Sequence, residues 1–266
     1  MNCWNRIAVL AVCTVAAAIG MSAQDTTAAD EMHAGIVAYK FSDYTGAAQH
    51  FRNALDLNPL LPQARLYLAT SYAQQYVPGD ESEANVGMAE QAIAEFKKVL
   101  SSDPGESDRY KCVVPIASLN FNLKRFDVSR EYYEKAIELN SSDAHNYFMI
   151  GLMDWTEAHA DRVKAQSAAG LTESEMLGSG GACTALKEKN GARVEGGILR
   201  LQKVLELQPN NGDAMGYMNM LYRERAEYEC DDPDARKADL KTADEWVDKA
   251  IAVKKAEQEP APPSAQ

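Results

Sequence analysis

What most constrains this chain is a short pattern that occurs five times. Residues 44–59, YTGAAQHFRNALDLNP, recur in outline at 92–104, 126–141, 197–209 and 243–251. Each copy carries a small residue, a large apolar one four positions on, and a small apolar one three further on. The sets are Ala47, Phe51, Ala54; Ala92, Phe96, Val99; Ser129, Tyr133, Ala136; Gly197, Leu201, Val204; and Ala243, Val247, Ala250. Steps of four and three place all three side chains on one stripe of a helix. In most copies Pro or an equivalent breaker follows five residues after the last of them and ends the helix. One such helix cannot bury its stripe alone, so the pattern demands stacked neighbours.

Before most of these helices runs a second helical segment with its own pattern: Leu68-Ala69 followed by Tyr72, Ile150-Gly151 within YFMIGLMD, and Met218-Asn219 followed by Tyr222. In these residues the chain resembles the tetratricopeptide repeat family, built from helix–turn–helix units of about 34 residues. The eighth position of the family unit, which takes a small residue, would be Gly35, Ala69, Ala117, Gly151 and Asn219. The resemblance covers roughly residues 28–256 and keeps its small and large positions in phase from copy to copy. It implies an all-α fold, an α-solenoid of about five units (28–61, 62–106, 110–143, 144–211 and 212–256) with an elongated inserted helical hairpin.

The copies are unevenly spaced. The Ala54-type position recurs after 45, 37, 68 and 46 residues, at Val99, Ala136, Val204 and Ala250. The long step is not a hidden repeat, because Val163, Ser167, Gly170 and Glu175 would then hold the signature positions and fit them poorly. It reads instead as a lengthened hairpin with 178–181, Gly-Ser-Gly-Gly, at its tip. Residues 75–84 form a turn inside the second unit. Pro115 falls within the first helix of the third unit, so that helix is expected to start late or kink. The tail, 257–266, with three prolines, is expected to be disordered.

The N-terminus is a separate object. Arg6 precedes a 13-residue apolar run, Ile7 to Ile19, followed by Gly20 and Met21-Ser22-Ala23. This reads as a signal peptide, 1–23, and places the protein in a periplasmic or extracellular compartment. A lipid anchor at Cys13 fits less well, since Cys13 lies inside the run and follows Val12 rather than a small residue. Removal of Arg6 leaves 26 basic against 39 acidic residues, a net charge of −13. That balance argues against nucleic acid or an anionic membrane surface as partner. No later segment has the roughly 18–20 apolar residues of a membrane-spanning helix.

Chemistry-bearing motifs do not emerge. There is no Gly-rich phosphate loop and no nucleophile elbow. The four histidines are scattered, and the spacings of Cys112, Cys183 and Cys230 match no zinc pattern. Glu173 and Glu175 near His159 read as solvated side chains rather than an acid–base group. The runs 80–83 and 231–234 lack calcium-loop spacing and are placed to put negative charge at helix N-termini. The reading is a non-catalytic protein with no cofactor and no metal.

What remains is surface. The family resemblance implies that the first helix of each unit lines a concave groove. Carried over residue by residue, that groove holds Tyr39, Lys40, Gln63, Leu66, Thr70, Gln74, Ser118, Phe121, Asn122, His145, Phe148, Leu152, Trp155, Tyr217 and Arg223. The Lys/Asn/Arg clamp by which some members hold a terminal carboxylate is missing, since the corresponding positions carry Leu66, Val114, Phe148, Thr70, Ser118 and Leu152. Such a groove favours an apolar or helical segment of a protein or peptide partner. Phe148 and Trp155 serve either that groove or packing against the long inserted helix. Two functions follow: an interaction or scaffold module of the cell envelope, or a structural subunit of an envelope assembly or transport complex. An enzyme built on the inserted hairpin is a weaker third.

Cys183 lies 14 residues before Gly197, and Cys230 lies 13 before its counterpart Ala243. Equivalent places in adjacent units put the two thiols at similar height and predict a Cys183–Cys230 disulfide, the alternative being three reduced thiols. Cys112 is left as a small buried residue. The leader generates the first test. N-terminal sequencing of the native protein should begin at Gln24; an intact Met1 or a lipid on Cys13 would refute export by this route.

Overall fold

A computed structural model describes residues 26–258 apart from 174 and 179. The expected leader, 1–23, and residues 259–266 of the expected tail lie outside the described residues. The chain forms ten helices among the described residues: α1 (Ala28–Lys40), α2 (Tyr44–Leu57), α3 (Pro62–Gln75), α4 (Glu83–Ser101), α5 (Glu106–Asn122), α6 (Phe126–Leu139), α7 (Ala144–Ala168), α8 (Gly181–Leu207), α9 (Gly212–Glu227) and α10 (Pro233–Gln258). They pair as five successive hairpins, and the second helix of each also packs on the first helix of the next. The result is an all-α solenoid.

The repeat pattern explains this packing atom by atom. A Cβ added to Gly35 in α1 would sit 2.6 Å from the Phe51 ring of α2, and one added to Gly151 in α7 would sit 2.9 Å from Leu201 of α8. Ala69 and Ala117 hold the same position in α3 and α5, and both are fully buried. The small residue therefore opens the space that the large one fills. Phe51, Phe96, Tyr133 and Leu201 are each fully buried, and each burial contributes on the order of 1.5–3 kcal/mol. In the last hairpin Asn219 takes the small position and donates from Nδ2 to the Ala243 carbonyl at 2.9 Å. There a hydrogen bond replaces close approach.

Helix ends follow their sequence signals. Thr27 and Asp30 form a reciprocal capping box on α1. Asp43, Ser82, Asp143 and Asn211 cap α2, α4, α7 and α9 through their side chains. Both acidic runs precede helices: Ser82 and Glu83 open α4, and Asp232 accepts from the Ala235 N–H at the start of α10. Three of the turns between paired helices use the same device. Ser42, Lys124 and Gly170 have φ of 61°, 60° and 73°, and the next N–H reaches back to Ala38, Asn120 and Gln166 respectively. Only at Gly170 is the left-handed conformation free of a Cβ penalty. The longer turn of the second hairpin is held by buried Asn85, whose amide donates to the Val77 and Asp80 carbonyls and accepts from the Val77 N–H.

Several expectations are corrected. α5 does not start late: it begins at Glu106, four residues before the expected unit start at 110, with Pro115 inside it. Pro104-Gly105 defines the start, and Glu106 and Asp108 complement the first turn. The connection at the tip of the long hairpin is not confined to 178–181. It spans 169–180, because Gly170 ends α7 and Leu177 turns back into the core at 7% exposure. Glu257 and Gln258, expected in the tail, are the end of α10.

α7 and α8, at 25 and 27 residues, rise about 37 and 40 Å, against about 21 Å for the 14-residue helices. This overhang is tied to the last hairpin by the Cys183–Cys230 disulfide, with Cα atoms 5.9 Å apart. A bridge closing 47 residues contributes roughly 4 kcal/mol in the chain-entropy picture. Cys112 is free and fully buried, and burial pushes its thiol up to about 12. Thiol labelling at about pH 8 of the chain starting at Gln24 should therefore detect no thiol in the native state and one after unfolding without reductant. Any native labelling, or three thiols on unfolding, would contradict this assignment.

Candidate functional site

The first helices of the first three hairpins, α1, α3 and α5, lie side by side. Between them is an open cavity of about 580 Å³ lined by Tyr39, Gln63, Leu66, Tyr67, Thr70, Asp108, Tyr110, Lys111, Val114 and Pro115. Its wall is aromatic: Tyr39 packs edge-on to Tyr44 and Tyr67 at 5.2 and 6.1 Å, and Tyr67 stacks on Phe51 at 5.2 Å. Burial raises the Tyr39 hydroxyl's pKa, and burial together with a hydrogen bond to Asp143 raises that of Tyr110. Both stay neutral. Asp108 and Lys111 pair at 2.8 Å, so the groove carries no net charge. Thr70 spends its hydroxyl on the Leu66 carbonyl at 2.8 Å. The floor is thus apolar, bordered by neutral polar groups and one ion pair.

α5 contributes an unusual element. Pro115 sits in the helix interior, which costs about 3 kcal/mol relative to Ala because the ring blocks an i→i−4 hydrogen bond and crowds the carbonyl it would have served. That carbonyl belongs to Lys111. Lys111 and Pro115 both line the cavity.

The groove residues expected from the sequence separate into groups. Tyr39, Gln63, Leu66 and Thr70 share the cavity above. Lys40 and Gln74 are exposed at the ends of α1 and α3. Phe121 packs on Phe126 at 5.6 Å, and Ser118 faces the buried Tyr133 hydroxyl. Asn122 lines a different cleft with Tyr76, Asp80 and Lys124. His145 and Phe148 border a second cleft of about 330 Å³ with Asp143, Asn211 and Asp213. Leu152 packs with Met149 and Met153, and Arg223 pairs with Asp244 of α10 at 2.7 Å. Phe148 and Trp155 both pack edge-on to Tyr217 of α9, at 5.6 and 5.5 Å, and not on the long helix α8 alone. Tyr110 intervenes between the two halves, donating to Asp143 at 2.5 Å and accepting from Asn146 of α7 at 3.0 Å.

Tyr67, Asp108, Tyr110, Lys111, Val114 and Pro115 were not among the expected groove residues. The same positional frame reaches Lys111, but Asp108 precedes the expected start of its unit. The earlier start of α5 brings it in.

One buried ionic cluster lies outside the groove. Glu224 of α9 is 2% exposed; it accepts from Arg162 at 2.9 Å and contacts His159 Nδ1 at 2.9 Å. Glu173 lies 3.2 Å from the other ring nitrogen of His159, whereas Glu175 caps the Thr172 N–H. Trp155 stacks on the His159 ring at 5.0 Å. The partner that sequence could not supply is Glu224, 65 residues from His159. Arg162 neutralises Glu224, and the set ties α7 to α9. Among the described residues no group of three or more His, Cys, Asp or Glu side chains is arranged to hold a metal ion, and no helix is long and apolar enough to cross a membrane.

The family model described as Tetratricopeptide repeat matches residues 116–143, the C-terminal part of α5 and all of α6. Among solved structures, the crystal structure of MamA protein is similar with a TM-score of 0.57 at 18% identity, over 88% of this chain and 97% of that one. MamA 41-end from Desulfovibrio magneticus RS-1 gives 0.56 at 15% identity, over 87% and 97%. YrrB, described as a TPR protein with an unusual peptide-binding site, gives 0.56 at 16% identity, over 87% and 89%. No curated protein matches the chain in sequence. The match and these neighbours support a tetratricopeptide-repeat assignment; at such identities the structural likeness establishes the fold.

The ionic cluster makes a structural prediction. Glu224→Ala leaves Arg162 buried without its carboxylate and should cost about 3–5 kcal/mol, while Glu173→Ala, on the exposed side, should cost under about 1 kcal/mol. Urea unfolding of the two variants checks this; equal costs would mean that Glu224 is not the anchor.

Proposed function

We propose that this chain is an exported, non-catalytic interaction module of the cell envelope that holds a protein or peptide segment in the α1–α3–α5 groove. One observation carries the reading: an open, neutral cavity of about 580 Å³ whose apolar floor comes from three successive hairpins. Tetratricopeptide-type stacking supports a protein–protein interaction role, and the peptide-binding site named for YrrB is consistent with it. The Cys183–Cys230 bridge supports an oxidising compartment, as does the apolar run that precedes Gln24.

The C-terminal half favours a second use. Its elongated hairpin is braced by a disulfide and a buried ionic cluster, as expected of a rigid surface that meets neighbours in an assembly. A subunit of an envelope assembly or transport complex is therefore the competing function. Cross-linking on the native envelope distinguishes them: one ligand joined to α3 or α5 supports recognition, whereas stoichiometric neighbours joined along α7 and α8 support a subunit.

The groove gives a sharper test. Leu66→Glu places a charge on the half-buried floor and should weaken capture of the cross-linked ligand by about tenfold or more, with little change in melting temperature. Trp155→Ala should do the reverse, lowering stability by about 2–4 kcal/mol and leaving capture intact. Loss of capture only in the second variant would move the binding site to the C-terminal half.

A further inference from the structure

We infer that this chain forms a two-fold dimer in which α10 of one copy packs antiparallel on α10 of a second copy, independently of the α1–α3–α5 groove. In the first four hairpins the large and small apolar residues of the second helix are closed off, because the next hairpin packs on that helix. Phe51 and Ala54, Phe96 and Val99, Tyr133 and Ala136, and Leu201 and Val204 are all at most 2% exposed. α10, the last helix among the described residues, repeats the pattern, yet its Val247 and Ala250 are only half-buried. Beside them Ile251 is 59% exposed, and Met220 of α9 is 39% exposed. These four residues border an open cavity of about 690 Å³ between α9 and α10. It lies where the first helix of a further hairpin would stack.

Such a helix would run antiparallel to α10, as successive helices joined by a short turn do. A second α10 related by a two-fold axis meets that requirement. Leu240, Asp244, Val247, Ile251, Lys254 and Gln258 follow one another at alternating steps of four and three, which makes them one seam along the helix. An antiparallel copy centred between Val247 and Ile251 sets these two against each other twice and Asp244 against Lys254 twice. Asp244 keeps 70% of its side chain exposed beside Arg223 of its own chain, so a lysine from the second copy can join it. α10 carries six acidic and six basic side chains in a chain of net charge −12, so two copies meet here without the repulsion that the rest of their surfaces would bring. The first hairpin is finished differently. Glu31 of α1 meets His50 and Asn53 of α2 at 2.7 and 3.3 Å, a polar seam that suits an apolar end poorly and disfavours head-to-tail stacking.

Sedimentation equilibrium of the chain starting at Gln24 should show a concentration-dependent dimer. Ile251→Glu should leave a monomer of unchanged helix content by circular dichroism. Asp244→Lys and Lys254→Asp each create two like-charge pairs, and each should weaken self-association about tenfold or more. Mixing these two variants should restore association as a heterodimer, because each copy then offers the other two opposite charges. The contact of Arg223 with residue 244 lies within one chain and cannot produce that rescue. Ending the chain at Gln258 should leave the dimer intact. A monomer at every concentration, a dimer indifferent to Ile251→Glu, or two weakened variants that do not associate when mixed would overturn the pairing. Loss of the dimer on truncation would give the surface to residues 259–266 and overturn it as well.

Discussion

Everything in this fold depends on a close approach between paired helices. At Gly35 and Gly151 a single added carbon would collide with Phe51 and Leu201, so the interface has no slack. The same large residues are fully buried. This contact sets the distance between the two helices of a hairpin, and the second helix then presents its remaining face to the next hairpin. Dispersion and burial at these points, repeated along the chain, supply cohesion that no single hairpin could generate.

The groove is a consequence of that stacking. With the second helices occupied by packing on both sides, the first helices α1, α3 and α5 are left facing one another across an open space. Tyr39, Leu66 and Val114 line it from positions three or four residues away from the buried small residues Gly35, Ala69 and Ala117, on the adjoining flank of the same helices. The face does not continue unbroken into the last two hairpins. Tyr110 reaches across to Asp143 and Asn146, and beyond it Phe148, Trp155 and Tyr217 pack on one another.

The second half adds buried ionic bonds to the same apolar packing. Arg130 bonds Asp154 and Glu157 across the α6–α7 interface, Arg162 bonds Glu224, and Arg225 bonds Asp239. Asp154 and Glu224 are nearly inaccessible to water, so removing either partner would strand a charge. Burial pulls Asp154 towards its neutral form, and Arg130 opposes that pull. The Arg162–Glu224 bond and the disulfide tie the overhanging ends of α7 and α8 to the last hairpin. The two ends of the solenoid thus differ in form, an open groove at one and a cross-linked projection at the other.

The amino-acid sequence by itself determined the helical periodicity, the phase of the five copies, the small-against-large stripe and the caps. Each of these is a local property, readable from steps of three and four or from a Ser, Thr, Asn or Asp at a helix start. The placing of Cys183 and Cys230 was legible for the same reason, since equivalent positions in adjacent units come to lie side by side. What only the tertiary structure decided is which residues share a surface. Glu224 meets His159 and Arg162 across more than sixty residues, and Tyr110 divides one expected groove into two. The tip of the long hairpin folds back because Leu177 finds a core that exists only once α8 and α9 are packed. Pro115, read in the sequence as a disruption of a helix, stays within it because the packing of α5 on α4 and α6 outweighs one missing hydrogen bond.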